Sequence, residues 1–132
     1  MKRTELIEVA SKLYNNAMSL ETQLNYCTAW YKTVTTKNGS YEILKSYSTI
    51  VALCSYRTGT LYVFDYYSAT TSQHISKFIK YIAPSRIVYL YDRSDRVLEY
   101  NRITHEHWKT TKIVRRQIKA LDYDTYIETI EL

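Results

Sequence analysis

The chain has 132 residues, 45% of them hydrophobic and 23% charged, and a formal net charge of +5. That length suits one domain spanning residues 1–132, and the balance is that of a globular chain and not a disordered one. No apolar run reaches the roughly 18 residues of a membrane span, and "MKRTELIEVA" places charges where a secretory signal needs an apolar stretch, so a cytoplasmic protein with no membrane contact is expected.

Residues 4–24, "TELIEVASKLYNNAMSLETQL", predict a helix. Leu6, Val9, Ala10, Leu13, Ala17, Leu20 and Leu24 recur at three and four residues and form one apolar stripe. Thr4 is the expected N-cap, and Asn15-Asn16 weaken the helix so that it ends near Ala17 or Met18. The next run is rich in Tyr, Thr, Val and Ile, and its glycines, the only two of the chain, sit in Asn38-Gly39 and Thr58-Gly59. Asn-Gly between β-rich runs signals a hairpin. Strands are expected near 26–36, 41–56 and 60–66, with a bend or bulge near Lys45–Ser48 because the middle run is long for one strand. Cys27 and Cys54 fall in these runs, have no CxxC partner, and read as free thiols.

Thr70 followed by Gln73 has the spacing of a capping box. Ile75, Phe78, Ile79 and Ile82 continue a helical stripe over about 70–82, which Pro84 stops. "RIVYLY" then reads as a strand, so 61–91 is strand, helix, strand, the unit that joins parallel neighbours. "RVLEYNRI" suggests a further strand. Residues 108–121 place Ile113, Val114, Gln117, Ile118 and Leu121 on one face and Lys112, Arg115, Arg116 and Lys119 mostly on the other, which predicts a short basic C-terminal helix. The tail 123–131 alternates as an edge strand would. With no repeat and no linker, the expected fold is α+β. It is a single, mainly antiparallel sheet of about 4–5 strands, with helices on one face.

Charge and tyrosine are unevenly used. All 18 Lys and Arg and nine of the 13 acids lie in residues 1–120, while the last twelve residues carry four acids and no base. Such a body attracts an anionic partner, or the acidic tail folds back on it. There are 15 tyrosines, a residue that suits both half-buried strands and sticky surfaces, so the excess is expected to divide between core and interface.

Asp65 and Asp92 would stand at the carboxyl ends of parallel neighbours, where Mg²⁺ could be held for phosphodiester hydrolysis; turn and cap roles are the competing explanation. His105 and His107 lack a third ligand with metal spacing, and His74 reads as a polar surface or hydrogen-bonding residue. The hydroxyls of residues 68–72 open a helix without a glycine-rich loop, and no nucleophile motif is present. No catalytic residue and no cofactor are therefore assigned. The basic run of Lys109, Lys112, Arg115, Arg116 and Lys119, with Arg93, Arg96 and Arg102 upstream, lies among Tyr66, Tyr67, Tyr91 and Tyr100. Interleaved cations and aromatics suit RNA, DNA or an acidic protein groove.

The stretch "STIVALCSYRTGTLYVFDYYSATTSQHISKFIKYI…RIVYLYDRSDRVLEYN", about half the chain, resembles small accessory proteins of phages and mobile elements of Gram-positive bacteria. The likeness is one of texture and carries no catalytic signature. It implies a binder acting inside the bacterial host cell, of the kind that includes anti-CRISPR inhibitors of Cas nucleases. A basic chain would then engage guide RNA or a nuclease surface in preference to mimicking nucleic acid. The expected function is stoichiometric inhibition of a host protein or ribonucleoprotein complex. The alternatives are a stand-alone nucleic-acid-binding regulator and a Mg²⁺-dependent nuclease using Asp65 and Asp92. The sequence leaves the oligomeric state open.

Overall fold

A computed structural model describes residues 1–90, the backbone of 96–100 and 113–117, and residues 127–132. The first element is helix α1, Arg3–Asn16. Then come strands β1 (Thr22–Gln23), β2 (Ala29–Thr36), β3 (Gly39–Ser46), β4 (Thr49–Ser55) and β5 (Thr60–Val63), helix α2 (Ala69–Ile82), and strands β6 (Arg86–Tyr89), β7 (Arg96–Tyr100) and β8 (Ile113–Gln117). The strands form one sheet in the order β1 to β8. Neighbours are antiparallel except β5 and β6, which α2 joins in parallel with Leu61 opposite Ile87. The α+β class and the strand–helix–strand unit are as the sequence led us to expect, with more strands than the expected four or five.

The sheet carries a helix on each face, not on one. Leu6, Val9, Ala10, Leu13 and Tyr14 of α1 bury against Tyr41, Ile43, Leu53, Tyr62 and Val88, together with Ile127 and Ile130 from the C-terminal segment. On the other face Ile75 and Phe78 of α2 bury against Leu44, Ala52, Cys54, Leu61, Val63 and Ile87. Strands covered on both sides lose the alternation of a half-exposed sheet and become continuously apolar. Residues 51–55 and 60–64 are buried without a break. Each large side chain so buried contributes about 1.5–3 kcal/mol.

Several local expectations are corrected. Lys2, not Thr4, is the N-cap of α1, and it offers no side-chain cap. The opposite, C-terminal end is tied down by Lys32 of β2, whose Nζ donates to the Tyr14 and Ala17 carbonyls at 2.9 and 3.3 Å, a cation placed where the helix dipole is negative. The run 41–56 is two strands, because Tyr47 turns at φ 54° and pairing resumes at Thr49, with a register shift at Leu44/Lys45. The hydroxyl that caps α2 belongs to Ser68, accepting from the Thr71 amide, and not to Thr70. The helix closes at Ala83, left-handed at φ 44°, just before Pro84. The expected basic helix is contradicted at 113–117. Those residues are strand β8, in register with β7 from Arg96↔Gln117 to Tyr100↔Ile113. A short apolar pair flanked by charges fits either period, and the partner strand decides it. Residues 127–132 form no strand; the rest of the expected tail strand lies outside the described residues.

Candidate functional site

At one end of the sheet two exposed tyrosines lie on neighbouring surface loops. Tyr26 lies in the β1–β2 connection and is 99% exposed; Tyr47 forms the β3–β4 turn and is 53% exposed. The Tyr47 amide donates to the Thr28 carbonyl at 2.8 Å, which joins the two loops. Both residues hold positive φ, 57° and 54°, a region that glycine and asparagine adopt readily and bulky side chains rarely do. The Tyr47 ring rests 5.7 Å from that of His74. Met18 and Leu20, in the α1–β1 connection, are almost fully exposed, and Tyr66 is 78% exposed just beyond β5.

Of the residues expected at a binding face, Tyr66 is thus at the surface. Tyr67 is half-buried against the α2-side core; burial first, then the Asp65 charge, pushes its phenol up to about 12. Arg96 and Tyr100 lie on β7, and Arg115 and Arg116 on β8, so the paired strands bring these positions together. Tyr91, Asp92, Arg93, Arg102, Lys109, Lys112 and Lys119 lie outside the described residues, as do His105 and His107.

Asp65 does stand at the carboxyl end of β5, as the metal hypothesis required. Its Oδ2 pairs with Arg3 at 3.2 Å and its Oδ1 accepts from the Tyr66 amide at 2.7 Å. The side chain is more than half exposed. It ties the start of α1, whose Arg3 Nε also donates to the Phe64 carbonyl at 2.8 Å, to the end of β5. Among the described residues no group of three metal-binding side chains is assembled. His74 is buried and bonds Ser46 Oγ through Nδ1 at 2.8 Å, while Ser46 also meets Thr71 Oγ1 at 3.0 Å. Burial, then the charge of Lys77, lowers the imidazole's pKa. Both partners of this Ser–His pair are interior, so it ties α2 to β3 and offers no open nucleophile. Cys27 and Cys54 are free thiols, Cys54 fully buried and Cys27 donating to the Leu24 carbonyl at 2.7 Å.

Two buried acids were not singled out by sequence reasoning. Glu128 is only 8% exposed and pairs with Arg57. It accepts from Ser55 Oγ at 2.6 Å, Thr58 Oγ1 at 2.5 Å and Tyr62 OH at 3.1 Å, so part of the acidic tail does fold back. Glu42, on β3, faces α2 beyond its last turn. Its Oε1 accepts from Thr33 Oγ1 at 3.0 Å and from Tyr81 OH at 3.4 Å. Burial and a bond to Glu42 raise the pKa of Tyr56. The Tyr81 phenol is raised first by its bond with Tyr31, and their rings are 4.9 Å apart. Glu42 Oε2 is the one buried side-chain polar atom among the described residues that has no partner. The available signal was a lone acid in the apolar "YEIL" of a central strand.

The fold is thus an α+β sheet with one helix on each face, exposing aromatic loops at one end. The chain belongs to the family of unknown function DUF8033, whose model matches residues 18–94. That span holds β1 to β6, α2 and the loops bearing Tyr26, Tyr47 and Tyr66, and it excludes α1. No curated protein and no solved structure matches the chain.

Proposed function

We propose that this protein acts by stoichiometric binding, and that Tyr26 and Tyr47, with Tyr66 and the apolar side chains of Met18 and Leu20, form its docking surface. The observation that carries the reading is the conformation of the two tyrosines. A side chain selected for stability at a left-handed position would be Gly or Asn. An aromatic there costs backbone energy, yet Tyr26 is 99% and Tyr47 53% exposed, a combination that points to use by a partner. Tyrosine is also among the residues that most often dominate binding energy. The partner is a host protein or ribonucleoprotein. The resemblance to phage and mobile-element accessory proteins makes the particular form an anti-CRISPR-type inhibitor of a Cas nuclease or its guide-RNA complex, working in the bacterial cytoplasm.

The test is to titrate the purified chain into DNA-cleavage reactions of reconstituted Cas effector complexes. Loss of cleavage saturating near one chain per complex is the expected result. Undiminished cleavage in chain excess, across effector types, would remove the inhibitor assignment while leaving open binding to another partner.

A second reading, a stand-alone nucleic-acid-binding regulator, is favoured by the placement of Arg96, Arg115 and Arg116 on the paired strands β7 and β8. It requires retention on DNA or RNA that falls steeply with salt and that weakens in Arg115→Gln/Arg116→Gln. The nuclease reading is disfavoured, because Asp65 is already engaged with Arg3 and the Tyr66 amide.

A further inference from the structure

Glu42 presents a problem that the fold alone does not solve. It lies on a central strand, 97% removed from solvent, with Oε2 unpartnered. A buried carboxylate oxygen without a donor is costly, and natural proteins seldom leave one unmet. Among the described residues no Lys or Arg pairs with it. What surrounds it instead is aromatic. The rings of Tyr31 and Tyr81 are tilted with centroids 4.9 Å apart, Phe78 lies 6.1 and 6.4 Å from them, and burial, then Glu42, raises the phenol of Tyr56 beyond β4. Tyr56 and Tyr81 are each about half exposed, and so form the outer wall. Thr33, exposed on β2, supplies a hydroxyl at 3.0 Å.

A buried carboxylate oxygen with no cation beside it, reached past half-exposed aromatic side chains, is an arrangement that attracts an organic cation. We propose that Glu42 and the rings of Tyr31, Tyr56 and Tyr81 form a receptor for an alkylammonium group, of the kind a lysine side chain carries. The ammonium bonds Oε2 while its methylene stem lies along the rings. It enters past Tyr81, whose hydroxyl is held to Oε1 at 3.4 Å, a longer bond than that of Thr33. The receptor lies mid-strand on β3 and β2, where Glu42 pairs with Thr33, and it shares no residue with the surface of Tyr26 and Tyr47. The two proposals therefore stand or fall separately.

The experiment is a titration followed by the ring signals of ¹³C-tyrosine in the full chain. The probes are Nα-acetyl-lysine amide, its Nε-trimethylated form and butylammonium, with sodium chloride at equal ionic strength as the reference. Saturable shifts confined to Tyr31, Tyr56 and Tyr81 are expected with the amines and not with the salt. Tighter binding of the lysine amide than of butylammonium identifies a peptide as the source, and the reverse identifies a free amine. Glu42→Gln, near-isosteric, should weaken the titration about tenfold, as should Tyr81→Ala, which removes only a half-exposed wall. Shifts that never saturate, that spread over all tyrosines, or that persist unchanged in both variants would overturn the receptor.

Discussion

Left-handed backbone at a non-glycine residue costs about 1–2 kcal/mol, and Tyr26 and Tyr47 both occupy it at the surface. Replacing either by glycine relieves that cost but adds chain entropy to the unfolded state, so each substitution should raise stability by about 0.5–1 kcal/mol. Urea unfolding of Tyr26→Gly and Tyr47→Gly checks this; a loss of stability would mean the rings are structural. His74 gives the pH response. Its folded imidazole lies below the ordinary 6.5, so on acidification the unfolded chain takes up the proton first. The stability it contributes is fully present above pH 6.5 and declines as pH falls through the folded value, by at most about 1.4 kcal/mol per pH unit. Unfolding measured at a series of pH values should show that decline, and His74→Gln should remove it. At this scale the sequence was partly legible. The tyrosine excess announced both core and surface, and Tyr14, Tyr41 and Tyr62 are indeed interior while Tyr26 and Tyr66 are not. Nothing local marks which tyrosine goes where, and the environment of Glu42 arises from residues far apart in the chain.

The elements show where local signals suffice. Asn38-Gly39 does turn β2 into β3, with Thr36 paired to Gly39, and Pro84 does follow the end of α2. The turn at Tyr47-Ser48 has no glycine or asparagine to announce it, so strand length alone suggested a bend or bulge near Lys45–Ser48, which the structure makes a full turn. The strand at 113–117 was hidden for a related reason, because its stabilising partner β7 lies elsewhere in the chain. Ala83 closes α2 in the left-handed region, where glycine is the favoured residue. Ala83→Gly should therefore stabilise the protein by about 0.5–1 kcal/mol in thermal or denaturant unfolding, and a destabilisation would mean its methyl packs. The segment 127–132 behaves as part of the fold. Ile127 and Ile130 are buried with α1, Glu128 is held by Ser55, Arg57, Thr58 and Tyr62, and Asn38 Nδ2 donates to the Glu131 carbonyl. Removing residues 127–132 should cost at least about 4 kcal/mol from the two isoleucines and the clamp together. An unchanged melting temperature would show that the docking contributes nothing.

For the whole molecule, strands β2 to β6 carry a helix on each face, which leaves loops and edges among the surfaces open to recognition. The sequence conveyed the class and the parallel crossover, since continuous apolar runs at 50–54 and 61–64 are what a doubly covered sheet requires. It did not convey that α1 and α2 would take opposite faces, which depends on how the crossover returns. The proposed activity rests on the loop end of this sheet. The most direct measurement is quantitative capture of host-cell lysate on the immobilised chain, with and without nuclease, comparing the native protein with Tyr26→Gly/Tyr47→Gly. The account predicts that the native chain retains a defined complex in fixed ratio and that the variant, more stable in unfolding, loses at least about tenfold of it. Equal capture by the two proteins would contradict it.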